Sequence, residues 1–374
     1  VADLEHCKPM TSWSRWGITP GFYEASILSL FTGILFVSTI AVFQKYSDAV
    51  TGFGDNAAYS SVASAIRAWD FRGIEVKQFW GFSYAIALVS RITSISVQNS
   101  LISVCVVSSL LSIALANKLW GGWVAALFAV LNFEWMQRSF LGGSEPLFVV
   151  LLFAFFLAAR KQSWLIAGLL GSLATITRPV GLLAIAVLGF VLLKQRKYSE
   201  FSLCATVALI VGALYILPFW IFFHDPLYEF HQYKASDWSS ESRIGLPFGA
   251  IIPSLFHSDS PWTNVALNCG WLGLVLIGFI VLVSRRSQPY ASQQPVEFWF
   301  CVAYVAFLFT YNSPKWALAE FPRFAIPVLP MMFIALDRWF PHDRRIFWAL
   351  GIVSPVLAAA SALGIRNVEH LLVK

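Results

Sequence analysis

The sequence predicts an all-α, polytopic membrane protein, and three observations carry that prediction. Of 374 residues, 58% are hydrophobic and 12% charged, about half the charge of an average soluble domain. Mean hydropathy is +0.68. Apolar runs recur along the chain and approach the ~20 residues that a helix needs to cross a bilayer core.

About eleven spans follow from those runs, over roughly 26–44, 98–117, 122–140, 145–160, 163–177, 179–193, 201–223, 265–284, 296–312, 324–340 and 346–364. Trp13, Trp16, Phe22 and Tyr23 precede the first run as an interfacial approach to it, and nothing there resembles a cleavable signal peptide. The shorter runs must end in the interface or in protein-lined cavities. No internal repeat is visible, so residues 1–374 read as a single domain. Two connections are long, 45–97 and 224–264, and both are aromatic and polar. In the first, Val62, Ile66 and Trp69 share a helical face, which predicts amphipathic helices lying on the membrane.

Orientation rests on the short turns, because long loops weigh little in the positive-inside rule. Arg160-Lys161, Lys194/Arg196/Lys197, Arg285-Arg286 and Arg344-Arg345 share one side. That side is expected to be cytoplasmic, with the N-terminus, and both long loops to be outside. The net charge of +6 is spread over helix ends, which fits lipid headgroups and excludes a nucleic-acid patch. The five cysteines lack metal-ligand spacing and suggest no disulfide framework. No Asn-x-Ser/Thr sequon occurs, which favours a bacterial source; with the orientation above, the expected place is an inner membrane with the active face toward the periplasm.

The unusual polar residues then fall on one face. Asp55 and Asp70 lie in the first loop, Glu134 and Arg138 at the end of the third span, and Glu145 at the start of the fourth. Arg178 occupies the turn between spans five and six, His224 and Asp225 follow span seven, and Lys315, Glu320 and Arg323 precede span ten. Ionisable groups at membrane depth face a cavity or one another. Each also has a plainer role. Asp55 suits a helix N-cap, Glu134 and Arg138 an i,i+4 pair, Glu145 a first-turn acid, and Arg178 a snorkelling cation.

Three stretches give the chain a family likeness. GDNAAY, residues 54–59, follows the first span; GGSEPLF, residues 142–148, opens a helix that is followed by a basic turn and the turn TRP at 177–179; and FPRFAIPVLP, residues 321–330, precedes a late span. The layout resembles the GT-C glycosyltransferases, integral-membrane enzymes that take a sugar from a polyprenyl-phosphate carrier, and within them the mannosyltransferases. Asn56 departs from members that carry paired acids in this loop, and GFSY at 81–84 stands where many have a Pro-rich stretch.

The resemblance implies a GT-C-like bundle with a large first outer loop and a catalytic acid in that loop, here Asp55. Transfer to a hydroxyl needs a base for the acceptor's proton and fixed cations for the departing phosphate. Asp55 is expected to be the base, and Arg178, Arg323, Lys315 and His224 to bind the donor phosphate. Tyr59, Asp70, Glu145 and Glu320 complete the candidate set. A single base predicts inversion at the anomeric carbon, by analogy with the carboxylate logic of glycosidases. No metal or other cofactor is expected, since no Asp-x-Asp cluster is present. The expected partners are the lipid-linked donor, membrane lipids, and a lipid, glycan or protein acceptor. The alternatives are a lipid-linked-sugar transporter or flippase, and a ligase of related topology using a diphosphate-linked donor.

Overall fold

The computed structural model describes residues 33–34, 37–38, 46–71, 74, 78–235, 243–249, 262–284, 288–312, 321–339 and 349. Most of the expected first span, all but one residue of the eleventh, and both Lys315 and Glu320 lie outside the described residues.

The first loop is helical, as its pattern predicts. Helix α1 (Tyr46–Gly52) leads through a short turn into α2 (Asn56–Ala68), and α3 (Gly81–Thr93) follows. Asn56, Tyr59, Val62 and Ala63 are buried at helical spacing while Ser61, Ser64 and Arg67 are exposed, so α2 buries one stripe. That stripe lies on α3, where the Ser83 hydroxyl donates to the Tyr59 carbonyl at 3.1 Å.

The spanning body begins with α4 (Val97–Trp120), whose N-cap Ser96 accepts from the Asn99 amide. It continues through α5 (Gly122–Leu131), α6 (Phe133–Phe140), α7 (Glu145–Arg160), α8 (Trp164–Thr177), α9 (Leu182–Lys194) and α10 (Tyr198–Phe223). After α11 (Tyr228–Ala235) in the second loop come α12 (Trp262–Val283), α13 (Gln288–Gln293), α14 (Pro295–Thr310), α15 (Phe321–Ala325) and α16 (Leu329–Ala335). A two-residue antiparallel pairing of Arg243–Ile244 with Tyr311–Asn312 ties the second loop to the end of α14. Helices α4, α7, α8 and α10 pack in sequence against one another, and α12 packs on α16.

By length and composition, α4 and α10 are each long and apolar enough to cross a membrane. Helices α5, α8, α9, α12 and α14 contribute shorter apolar segments, and α6 with α7 makes a bent pair. The core between them is aromatic: Trp123, Phe128, Phe153, Phe156, Phe300 and Tyr304 are almost wholly buried. The outer face of α10 is the reverse, with Leu209, Leu214 and Trp220 all more than 60% exposed, as a lipid-facing surface requires.

Two expected spans are broken. The run 122–140 does not form one helix: Asn132 leaves the helical conformation, and its side chain accepts from the Glu134 and Trp135 amides to start α6. A polar cap competing for backbone amides ends α5 there. Between α6 and α7 the chain then bends by 106°. The run 324–340 is likewise segmented into α15, a 3₁₀ turn at Ile326–Val328, α16 and a further 3₁₀ turn at Asp337–Trp339; Pro327 and Pro330, which lack amide donors, punctuate it.

The end of α7 opposite Glu145 is closed by a saturated network. Arg160 donates to both carboxylate oxygens of Glu297, at 2.5 and 2.8 Å, and to the Leu119 carbonyl at 2.7 Å. Trp120 and Tyr290 also donate to Glu297, at 3.0 and 2.6 Å.

Candidate active site

Glu145 is the centre of the site. It opens α7 directly after Ser144, with Pro146 in the first turn, a position that Pro tolerates because no amide donor is needed there. Its side chain is only 4% exposed, and its Oε1 accepts hydrogen bonds from both Arg178 and Arg323. The sequence offers Glu145 as a helix-dipole acid. The structure makes it the shared anchor of two arginines that lie 145 positions apart in the chain.

Each arginine reaches Glu145 from a helix break. Arg178 has extended backbone at the end of α8, as a residue before proline favours. Its guanidinium leaves the helix end, meets Glu145, and donates to the Ser144 hydroxyl at 3.2 Å. Arg323 sits on the short α15, which is held on both sides. Asn132 donates to the Pro322 carbonyl at 2.9 Å, and Tyr304 to the Phe324 carbonyl at 2.8 Å. The Phe324 ring lies 5.6 Å from the Arg178 guanidinium and 5.4 Å from that of Arg323, so one aromatic face steadies both cations.

A third guanidinium, Arg138, belongs here and is absent from the sequence-derived set. Its pairing with Glu134 is present, at 3.7 Å, with both side chains largely buried. The same guanidinium lies 4.5 Å from the Phe53 ring. A Cβ on Gly54 would meet its Nη1 at 2.9 Å, and one on Gly143 would meet its Cδ at 2.9 Å and Glu145 Oε2 at 2.5 Å. Arg138 therefore fills the space between the Asp55 turn and Glu145. The glycine pair at 142–143 was the available signal: both adopt positive φ, 118° and 143°, which lets the backbone pass this close to charged side chains.

Asp55 lies at the rim. It precedes α2 at the N-cap position, yet its side chain makes no capping hydrogen bond. Instead the exposed carboxylate accepts from Gln78 Nε2 at 3.2 Å. One turn further on, the buried Tyr59 hydroxyl donates to Ser144 Oγ at 3.2 Å, the atom that Arg178 also contacts. Burial pushes the Tyr59 phenol up to about 12; the charges of Asp55 and Glu145 add to that and Arg178 opposes it. Tyr59, Ser144, Arg178, Glu145 and Arg323 thus form one hydrogen-bonded polar path, and Asp55 lies one helical turn before Tyr59 at its rim.

Two other candidates lie elsewhere. His224 ends α10 in the left-handed conformation and is exposed, with no described hydrogen bond to the arginine group. Its neighbour Asp225 pairs with His231 at 2.7 Å, which holds the Asp225 carboxyl below its usual range. Asp70 follows the far end of α2, about 20 Å from Asp55 at 1.5 Å per residue, and is exposed. Among the described residues, no three His, Cys, Asp or Glu side chains gather into a metal-sized group.

Apolar helices beside an amphipathic first loop, with arginines drawn onto one carboxylate at that end, suit a membrane glycosyltransferase, and the family match places the chain in the GT-C type. The chain belongs to glycosyltransferase family 87, whose sequence profile matches residues 81–311. The matched stretch contains Arg138, Glu145 and Arg178, while Asp55 and Arg323 flank it. No curated protein and no solved structure matches the chain.

Proposed function

We propose that this glycosyltransferase moves a sugar, with mannose the first candidate, from a polyprenyl-phosphate carrier to an acceptor hydroxyl at the outer face of a bacterial inner membrane. The observation that supports this reading best is the convergence on Glu145. Among the buried groups, Arg138, Arg178 and Arg323 supply three positive charges against the two carboxylates Glu134 and Glu145, which leaves one in excess there, with the exposed Asp55 at the rim. That surplus suits a carrier with one phosphate group. Arginine also offers the planar donor fork that phosphate oxygens accept.

In this reading the acceptor oxygen attacks the anomeric carbon as its proton passes to Asp55. The bond from that carbon to the phosphate oxygen breaks, and polyprenyl phosphate departs with its charge held by Arg178 and Arg323. Glu145 keeps both guanidiniums aimed before substrate arrives, so little reorganisation accompanies the charge shift. Direct displacement inverts the anomeric centre, and the basic side chains perform the charge stabilisation without a metal.

The test is release of polyprenyl phosphate from a panel of polyprenyl-phosphate sugars by purified protein. Asp55→Asn is expected to lower kcat about 100- to 10,000-fold, the range for loss of a general base. Arg178→Gln and Arg323→Gln should slow turnover while melting behaviour persists. Wild-type rates in Asp55→Asn would remove Asp55 from the reaction.

A further inference from the structure

We infer that Asn56 is a positioning residue that sets the separation between Asp55 and the arginine–Glu145 group, an inference that rests on the reading of Asp55 as the base. Asn56 follows Asp55 directly and is 1% exposed. Its amide nitrogen donates to two backbone carbonyls, Val50 at 2.7 Å and Leu141 at 2.8 Å. Val50 lies on α1, just before the Asp55 turn. Leu141 lies at the end of α6, four residues ahead of Glu145. One side chain therefore fastens the turn that carries the base to the bend that carries the phosphate group's anchor.

The fit is tight on the Leu141 side. A Cβ on Gly142 would lie 2.6 Å from Asn56 Nδ2 and 2.9 Å from Oδ1, so the amide rests directly on the bend. Both amide hydrogens are used as donors, and Oδ1 accepts no hydrogen bond. Only a donor satisfies this place. A carboxylate would set its oxygens against two buried carbonyl oxygens, which explains in physical terms why this position carries no second acid. The hydrogen bonds from Asn56 act on Asp55 only through the backbone, so their effect is on placement, and errors near 1 Å are worth about 100-fold in rate.

Asn56→Asp, close to isosteric, makes the inference testable. Ionised, its carboxyl repels both carbonyls; protonated, it donates to one of them, and burial beside those carbonyls keeps it protonated to higher pH. The assay uses polyprenyl-phosphate mannose with a bacterial lipid extract supplying acceptors, across pH 5.5–8.5, with melting curves at each pH.

The expected result at pH 8 is a kcat about 10- to 100-fold below wild type, with donor KM changed by less than about two-fold. Relative to wild type, the loss should shrink as pH falls. Asn56→Ser, which carries no charge, should lose kcat to a similar degree at every pH with no recovery in acid, and serves alone if the first variant does not fold. Asp55→Asn is run in parallel. If it is inactive while both Asn56 variants keep wild-type kcat, the inference is overturned and the base assignment stands. If Asp55→Asn is fully active, the base assignment itself fails. A loss in both Asn56 variants that follows their melting curves and shows no acid recovery would make Asn56 a stabilising residue only, and would also overturn the inference.

Discussion

At the scale of single residues, three of the described carboxylates sit in contrasting environments. Glu145 is ionised between guanidiniums, Asp55 is solvated at the rim, and Glu229 is buried among aromatic rings. Glu229 is 2% exposed, accepts from the Tyr215 hydroxyl at 2.5 Å, and has no salt bridge among the described residues. Burial raises its carboxyl to about 8. An unfolded glutamate releases its proton near 4.5, so between those values the native state binds one proton more. Stability is then full below pH 4.5, falls as pH rises, and has lost this contribution above 8. Melting temperature should decline between pH 5 and 8 in wild type, and Glu229→Gln should flatten that decline and melt higher at pH 8.5. Parallel curves for the two proteins would contradict the assignment.

Residue roles were legible only where they depend on local spacing. The Glu134–Arg138 pair could be read from an interval of four. The function of Glu145 could not, because its partners lie 33 and 178 positions away in the chain and meet it only in the folded bundle. Asp55 shows the limit of local context. Its sequence context suggests a cap, but the carboxylate turns to Gln78, a residue 23 positions away that no local pattern connects to it.

At the scale of elements, Asn132 is the most consequential polar side chain. Its carbonyl oxygen starts α6, and its amide holds the Pro322 carbonyl beside Arg323. Asn132→Ala removes a cap worth about 1 kcal/mol and a buried hydrogen bond worth about 1 kcal/mol. Melting temperature should drop and turnover should drop further than stability alone explains, because α15 loses its tie to α6. Equal turnover per folded molecule would show that Arg323 needs no such support. The sequence placed α7, α8 and α10 within a few residues, since charged or small polar residues bound each apolar run. It missed the break at 132 because one asparagine hardly alters the hydropathy of an 18-residue window, although it can cap a helix.

At the scale of the whole molecule, the two ends of α7 carry contrasting charge clusters. The Arg160–Glu297 network is stoichiometric and saturated, and the cluster around Glu145 holds a surplus of arginine. The first is suited to holding α4, α7 and α14 together, the second to receiving a ligand. Glu297→Ala should lower the melting temperature strongly, as loss of one partner in a buried pair costs about 3–5 kcal/mol. At low temperature its turnover per folded molecule should stay within about two-fold of wild type. A kinetic defect as deep as that of Arg178→Gln would mean that the far cluster also shapes the reaction.

The shortness of several helices has a consequence for the lipid around them. Helices α8, α9 and α14 have 14, 13 and 16 residues, or about 20–24 Å of rise, against a hydrocarbon slab of about 30 Å. A bilayer that thins to match these helices forms a dimple around the protein. Such a dimple would lower the proposed donor's headgroup toward Arg178 and Arg323 without lifting its tail from the leaflet.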